Sequence, residues 1–294
     1  MFLKINKLKF QIRKIIVGSS IFVVLILLLF GIKWIISNHL LDSQSAYSLF
    51  ILSLSKTIES GDYSTEDLYW RGTLYRGIVL KKSLKLSKSK YSKEGKDKRT
   101  ERLNKYYILA LNDFNAVLEI DPNYKDTNIQ KIDVLTDLKR HDEALEECDK
   151  ILQGDAENIK ILEKKAMINI YIKNLDIAKR LYKELTEKDE ENINYFQTYI
   201  TLCSITNDTA TALNESLKRI KEYPEQPSGY YQAGCIYSKM KNFHNALEYF
   251  SKAIEIDSTH APSYQSRSKV YARINDKENA QKDSLKTIEL MKTN

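Results

Sequence analysis

PSGYYQAGCIYSKMKNFHNALEYFSKAIEIDSTH, residues 227–260, is the stretch on which the fold turns. Tyr230, Ala233, Gly234 and Tyr237 fall at helical spacing. After a polar interval, Ala246, Phe250 and Ala253 follow at i, i+4 and i+7, the apolar stripe of an amphipathic helix. Gly234 and Ala246 lack bulk, so the two predicted helices can approach closely there. One such pair cannot bury its own stripe, so neighbouring pairs must stack on it.

Outward from this stretch, the same feature recurs. Ala110, Ala144, Ala178, Ala212, Ala246 and Ala280 follow one another at a constant interval of 34, six of only fifteen alanines in the chain. From Lys125 to Asn294 the sequence divides into five units of 34: 125–158, 159–192, 193–226, 227–260 and 261–294. Their second helices carry Ala144, Cys148 and Ile151, then Ala178, Tyr182 and Leu185, then Ala212, Ser216 and Arg219. In the last unit Ser284 and Thr287 replace Phe250 and Ala253, as suits a terminal helix facing water. A sixth unit, 64–124, is interrupted. Leu68, Arg71, Gly72 and Tyr75 repeat the first-helix spacing, and Ala110, Phe114 and Val117 repeat the second. Gly72 and Ala110 are separated by 26 more residues than Gly234 and Ala246 are, an insertion placed at the turn between helices.

The 34-residue period, with aromatic, small residue and Tyr in one helix and Ala, Phe and Ala in the next, resembles the tetratricopeptide repeat (TPR) family. The resemblance implies an all-α, TPR-type helix-turn-helix solenoid of about six repeats. It implies that first helices line a groove, where a protein or peptide partner binds. The groove residues are then Tyr69, Thr73, Arg76, Ile129, Asp133, Glu163, Met167, Gln197, Thr201, Tyr231, Cys235, Gln265 and Lys269. Relatives that grip a C-terminal carboxylate use Lys, Asn and Arg there. Here Tyr69 with Thr73, Ile129 with Asp133, and Tyr231 with Cys235 stand instead, which disfavours that ligand and suits an extended peptide or helix.

Residues 15–36 form an apolar stretch more than twenty residues long, interrupted only by Gly18, Ser19, Ser20, Gly31 and Lys33, enough to cross a membrane as a single helix. No small-residue cleavage site follows directly and no cysteine precedes Cys148, so an uncleaved anchor is expected. Lys4, Lys7, Lys9, Arg13 and Lys14 in the tail 1–14 predict a cytoplasmic N-terminus and extracytoplasmic repeats, periplasmic in a bacterium. Residues 40–63 read as a connecting helix that seals the first unit.

The chain has 46 basic and 39 acidic residues, and the excess is local. Between 81 and 105 eleven Lys or Arg face three acids, whereas 125–294 holds 26 basic and 28 acidic residues. The near-neutral repeats argue against nucleic acid. The insertion has two readings: a solvated turn extension, or a surface for anionic head groups through Lys88, Lys90, Lys93, Lys96, Lys98 and Arg99.

Nothing in the sequence points to catalysis. There is no GxxxxGK[ST], GxGxxG or GxSxG run, and the repeats reach the last residue given. His39, His141, His244 and His260 lack metal-ligand spacing, and Cys148, Cys203 and Cys235 show no CxxC, so neither a metal nor a cofactor is expected. The expected function is a membrane-anchored scaffold. Two rivals are a self-associating structural subunit of a membrane or envelope assembly, and a cytoplasm-facing receptor whose insertion touches anionic lipid.

Overall fold

The computed structural model describes residues 43–87 and 93–293, and among these it holds thirteen helices and no strand. The architecture is an all-α, TPR-like solenoid. The chain divides at Lys139 into two compact units. The first contains α1 (Ser43–Glu59), α2 (Thr65–Ser87), α3 (Lys93–Ile120) and α4 (Thr127–Asp137). The second contains α5 (His141–Gly154), α6 (Ile159–Tyr171), α7 (Leu175–Lys188), α8 (Ile193–Ile205), α9 (Thr209–Glu222), α10 (Pro227–Lys239), α11 (Phe243–Ile256), α12 (Ala261–Arg273) and α13 (Lys277–Thr293). Within each unit every helix packs on the next in sequence, and α8, α10 and α12 also touch side by side.

Residues 15–36, the expected membrane anchor, lie outside the described residues, as do Lys88, Lys90 and His39. Among the described residues no helix is long and apolar enough to cross a membrane. The insertion differs from a plain turn extension. It lengthens both helices of its pair, so that α2 has 23 residues and α3 has 28, against 13 and 14 in α10 and α11. Its eleven Lys or Arg are good helix formers, and with a single glycine and no proline they favour helix over coil despite four serines.

Two residue sets show that the interrupted pair is built like the others. Arg71 Nε and Nη2 donate to Asp113 at 2.9 and 2.6 Å, and Nη1 reaches Ser55 Oγ at 3.5 Å. Arg267 does the same to Asp283 at 2.7 and 2.9 Å and to Ser251 Oγ at 2.9 Å. Each serine stands sixteen residues before its arginine. Helix α1 therefore occupies the place of a preceding second helix, as α11 does before α12. The second set is Gly72 and Gly234. A Cβ on either would lie 2.7 Å from a phenyl ring, that of Phe114 or of Phe250. Both rings are buried, at 0 and 1% exposure.

The turns inside the pairs carry a signature of their own. Lys139, Lys173, Asn207, Lys241 and Asn275 have φ of 62, 65, 59, 61 and 65°, again at the repeat interval. Each ends a first helix in the left-handed conformation. In four of them the next residue donates back to a carbonyl five positions earlier, at 2.8 to 2.9 Å. Lysine adopts this conformation against its Cβ, where glycine is at ease. Lys173→Gly and Lys241→Gly are each expected to stabilise the protein by about 0.5–1 kcal/mol, less the extra freedom glycine gives the unfolded chain. A rise in the urea midpoint of each variant checks this.

The pair α8–α9, whose second helix has the least apolar stripe, is held by a buried cation. Arg219 takes the position held by Leu185 and Ala253, at 5% exposure. Its guanidinium stacks 4.8 Å from the Phe196 ring and 4.7 Å from Tyr223. It donates to the Glu190 carbonyl at 3.2 Å and to Gln226 at 3.1 Å. Burial lowers its pKa. Ser216, in the place of a phenylalanine, donates to the Ala212 carbonyl at 2.8 Å and so is satisfied within its own helix.

Candidate functional site

In the second unit the first helices α6, α8, α10 and α12 each present one stripe at i, i+4 and i+8. These are Glu163, Met167 and Tyr171; Gln197, Thr201 and Ile205; Tyr231, Cys235 and Lys239; Gln265, Lys269 and Arg273. Residues spaced by four share a helix face, and α8, α10 and α12 touch side by side, so their stripes form a wall, which a side-chain hydrogen bond joins to α6. Bonds cross it between neighbours. Tyr195 donates to Glu163 at 3.3 Å, tying α8 to α6. Lys239 Nζ donates to the Ser204 carbonyl, tying α10 to α8.

Exposure rises along the α6, α8 and α10 stripes. Tyr231 and Cys235 are half-buried, whereas Thr201, Lys239, Gln265, Lys269 and Arg273 are exposed. Met167, Tyr171 and Ile205 expose 49, 71 and 58%, so the wall shows apolar as well as polar groups to solvent. The last turn of each stripe, Tyr171, Ile205, Lys239 and Arg273, was not among the residues expected from the sequence. Extending the same spacing by one more turn finds it.

Tyr231 serves partly as support. Its ring lies 6.0 Å from Phe250 and meets His260 edge-on at 5.3 Å, and burial pushes its hydroxyl up to about 12. His260, the N-cap residue of α12, stands with Nδ1 2.7 Å from Ser263 Oγ. Burial lowers its pKa, against the weaker opposing pull of Asp257. The unfolded chain therefore takes up a proton near the usual value of about 6.5 before the folded one does, and stability falls with pH below that point. Between about pH 7 and pH 5 the urea midpoint is expected to drop more in the native chain than in His260→Asn. Parallel profiles for the two proteins would show that another group is responsible.

In the first unit, Tyr69 and Arg76 are engaged internally rather than presented. Tyr69 is 8% exposed and its hydroxyl donates to Asp126 at 2.5 Å. The Lys125 ammonium lies 4.9, 5.4 and 5.0 Å from the rings of Tyr69, Trp70 and Tyr124, and 3.0 Å from Glu66. Arg76 donates to Gln130 at 2.5 Å and to Asp133 at 2.7 Å. Thr73 Oγ1 donates to the Tyr69 carbonyl at 2.9 Å. These contacts clasp α2 to α4 and to the connection before it, so the Tyr69 hydroxyl and the Arg76 guanidinium are engaged within the unit.

Lys93, Lys96, Lys98 and Arg99 fall in the first two turns of α3. Cys148 and Cys203 are buried and Cys235 is half-buried, all as free thiols, and burial pushes Cys148 up to about 12. A thiol so placed acts as a small apolar group. Among the described residues no three His, Cys, Asp or Glu side chains come together as a metal site.

The tetratricopeptide repeat family matches residues 227–260. This stretch is a tetratricopeptide repeat. The other helix pairs are TPR-like by their recurrence at the same interval, and the interrupted pair further shares its Gly–Phe contact with this stretch and its Arg–Asp–Ser set with the last pair. No curated protein sequence matches the chain significantly. Solved structures do. MamA residues 41 to the end from Desulfovibrio magneticus RS-1 is 14% identical, with 56% of this chain and 94% of that one covered and a TM-score of 0.44. YrrB, described as a TPR protein with an unusual peptide-binding site, is 19% identical over 60% of this chain and 91% of its own, with a TM-score of 0.42. PilW, described as a widely conserved type IV pilus biogenesis factor, is 16% identical over 57% of this chain and 77% of its own, with a TM-score of 0.44.

Proposed function

We propose that the chain is a non-catalytic TPR scaffold, tethered to a membrane by residues 15–36, that holds an extended segment of a protein partner against the first helices of its second unit. The observation that carries this reading is the wall itself. Thr201 and Ile205 on α8, Lys239 on α10, and Gln265, Lys269 and Arg273 on α12 lie on the stripes of three helices that touch in series, and they are exposed. The core-filling positions of the first helices are buried by contrast, as Ala166, Ile200 and Ala233 are. An extended peptide across parallel helices meets one stripe after another and so collects many small contacts.

A photo-crosslinking residue at Thr201 or Gln265, compared with one at the outward Glu248, tests the site. The same adduct at all three positions, or at none, would end this reading. Topology is tested by a reporter fused after Asn294; activity in the cytoplasm would reverse the proposed orientation, leaving the repeats beside anionic lipid on that side.

Helix α13 supports a second reading, self-association. It exposes Leu285, Ile288 and Met291 by 60, 49 and 61%. Leu285 and Ile288 stand one repeat period after Ser251 and Ile254, on the side where α11 meets α12. A sedimentation mass of one chain at high concentration would remove this reading.

A further inference from the structure

The wall is sorted by charge in a way the overall composition hides. Helices α8, α10 and α12 contain no Asp or Glu; α8 has no charged residue, α10 has Lys239, and α12 has Arg267, Lys269 and Arg273. The second helices that alternate with them hold the acids: Glu215 and Glu222 on α9, Glu248 and Glu255 on α11, and Glu278, Asp283 and Glu289 on α13. A chain with 28 acids between positions 125 and 294 has thus kept one face of three helices free of them.

The basic groups on this face differ in how they are used. Arg267 is neutralised by Asp283. Lys239 reaches only a neutral carbonyl, that of Ser204, so its charge has no counterion there. Lys269, near enough to Cys235 to act on its thiol, and Arg273, one turn further along α12, meet no carboxylate among the described residues. The nearby turn acids are otherwise engaged. Asp208 is paired with Lys179 at 3.1 Å, and Asp276 accepts from the Asn279 amide and side chain at 3.1 and 2.7 Å. Beside Lys239 lies the apolar, uncharged end of α8, with Ile205 exposed by 58%.

We propose that the partner segment is acidic: an extended peptide whose carboxylates meet Lys239, Lys269 and Arg273, with an apolar residue on Ile205. This rests on the peptide-holding reading above and specifies its chemistry. The absence of any acid from the α8, α10 and α12 stripes acts as a filter, because a basic segment laid across these three helices would meet only like charge and no partner.

The test pans a library of short random peptides on the immobilised full-length protein in detergent, native and Lys239→Glu/Lys269→Glu/Arg273→Glu. The three side chains are exposed, so the variant should keep its circular dichroism spectrum and melting curve. Acidic peptides are expected to be enriched on the native protein. A labelled copy of one should bind the variant roughly tenfold or more weakly at low salt, with the gap closing as salt screens the charges. Changing its acids to lysines should move binding from the native protein to the variant. Enrichment of neutral or basic peptides, or equal affinity for both proteins, overturns the proposal and leaves the peptide-holding reading in place. If no peptide is enriched on either protein, both fall. If mixed phosphatidylglycerol and phosphatidylcholine vesicles bind through the three cations while no acidic peptide is enriched, the surface is one for lipid and the proposal is overturned.

Discussion

Replacing Asp283 by alanine is expected to destabilise the α12–α13 pair by about 3–5 kcal/mol, because it leaves a largely buried cation without its counterion. The Asp283 side chain is 5% exposed and that of Arg267 17%. The pair is bidentate, at 2.7 and 2.9 Å, and the carboxylate raises the guanidinium pKa above its ordinary value. In the variant, Arg267 keeps the Ser251 hydroxyl and the Tyr264 and Tyr271 rings at 5.7 and 5.9 Å, none of which carries charge. The neighbouring pair shows what an uncharged solution looks like. Ala233 and Tyr249 stand one repeat period before Arg267 and Asp283, and Ala233 is fully buried. The double variant Arg267→Ala/Asp283→Tyr should therefore recover most of the loss, since exchanging both partners for apolar groups is often close to neutral. Hydrogen exchange is the measurement, because repeats couple chiefly to their neighbours and the opening should be confined to α11–α13. Protection in α12 unchanged by Asp283→Ala would show that the pair contributes little.

The same pair explains what the sequence disclosed and what it withheld. The stripes of small and aromatic residues were legible because their period and their bulk are both written locally, in Ala246, Phe250 and Gly234. The partnership of Arg71 with Asp113 was not, since 42 residues separate them and the insertion hides the sixteen-residue interval plain in Arg267 and Asp283. The left-handed turns went unread for a different reason. Lysine carries no turn signal of its own, and only the shared interval of Lys139, Lys173 and Lys241 marks the position. For the groove, register fixed the direction of a side chain but not its neighbours. Tyr69 and Arg76 point where the pattern places them, but Asp126, Gln130 and Asp133 from the following connection and helix reach them first. The α8, α10 and α12 stripes are wall residues partly for want of such partners, as α8 offers no charge at all and α10 only Lys239.

Phe250→Ser is expected to cost about 3–5 kcal/mol, the usual loss for emptying a buried phenylalanine site. Gly234→Ile should be destabilising alone by about 1–3 kcal/mol or more, since even its Cβ would sit 2.7 Å from two carbons of the ring. Made together, the two should interfere less than their sum predicts. The preceding pair already carries this combination: Ile200 and Ser216 occupy the positions of Gly234 and Phe250, and they are 1 and 0% exposed. Ala166 with Tyr182, both within one core cluster, is of the same kind as Gly234 with Phe250, a small first-helix residue facing a ring. Between α10–α11 and α8–α9 a larger first-helix residue meets a smaller second-helix one, so that the two side chains fill the space jointly. A coupling of about 2 kcal/mol in favour of the double variant follows, within the range seen for residues in contact. Urea unfolding of the four proteins measures it, with exchange protection in α10 and α11 locating the change. Additive losses would mean that the backbone spacing of each pair is set individually and the helices of α10–α11 cannot adopt that of α8–α9. Gly72→Ala supplies the parallel test in the first unit, where Phe114 stands at the same 2.7 Å. A loss equal to that of Gly234→Ala is expected if the insertion leaves the packing of its pair untouched.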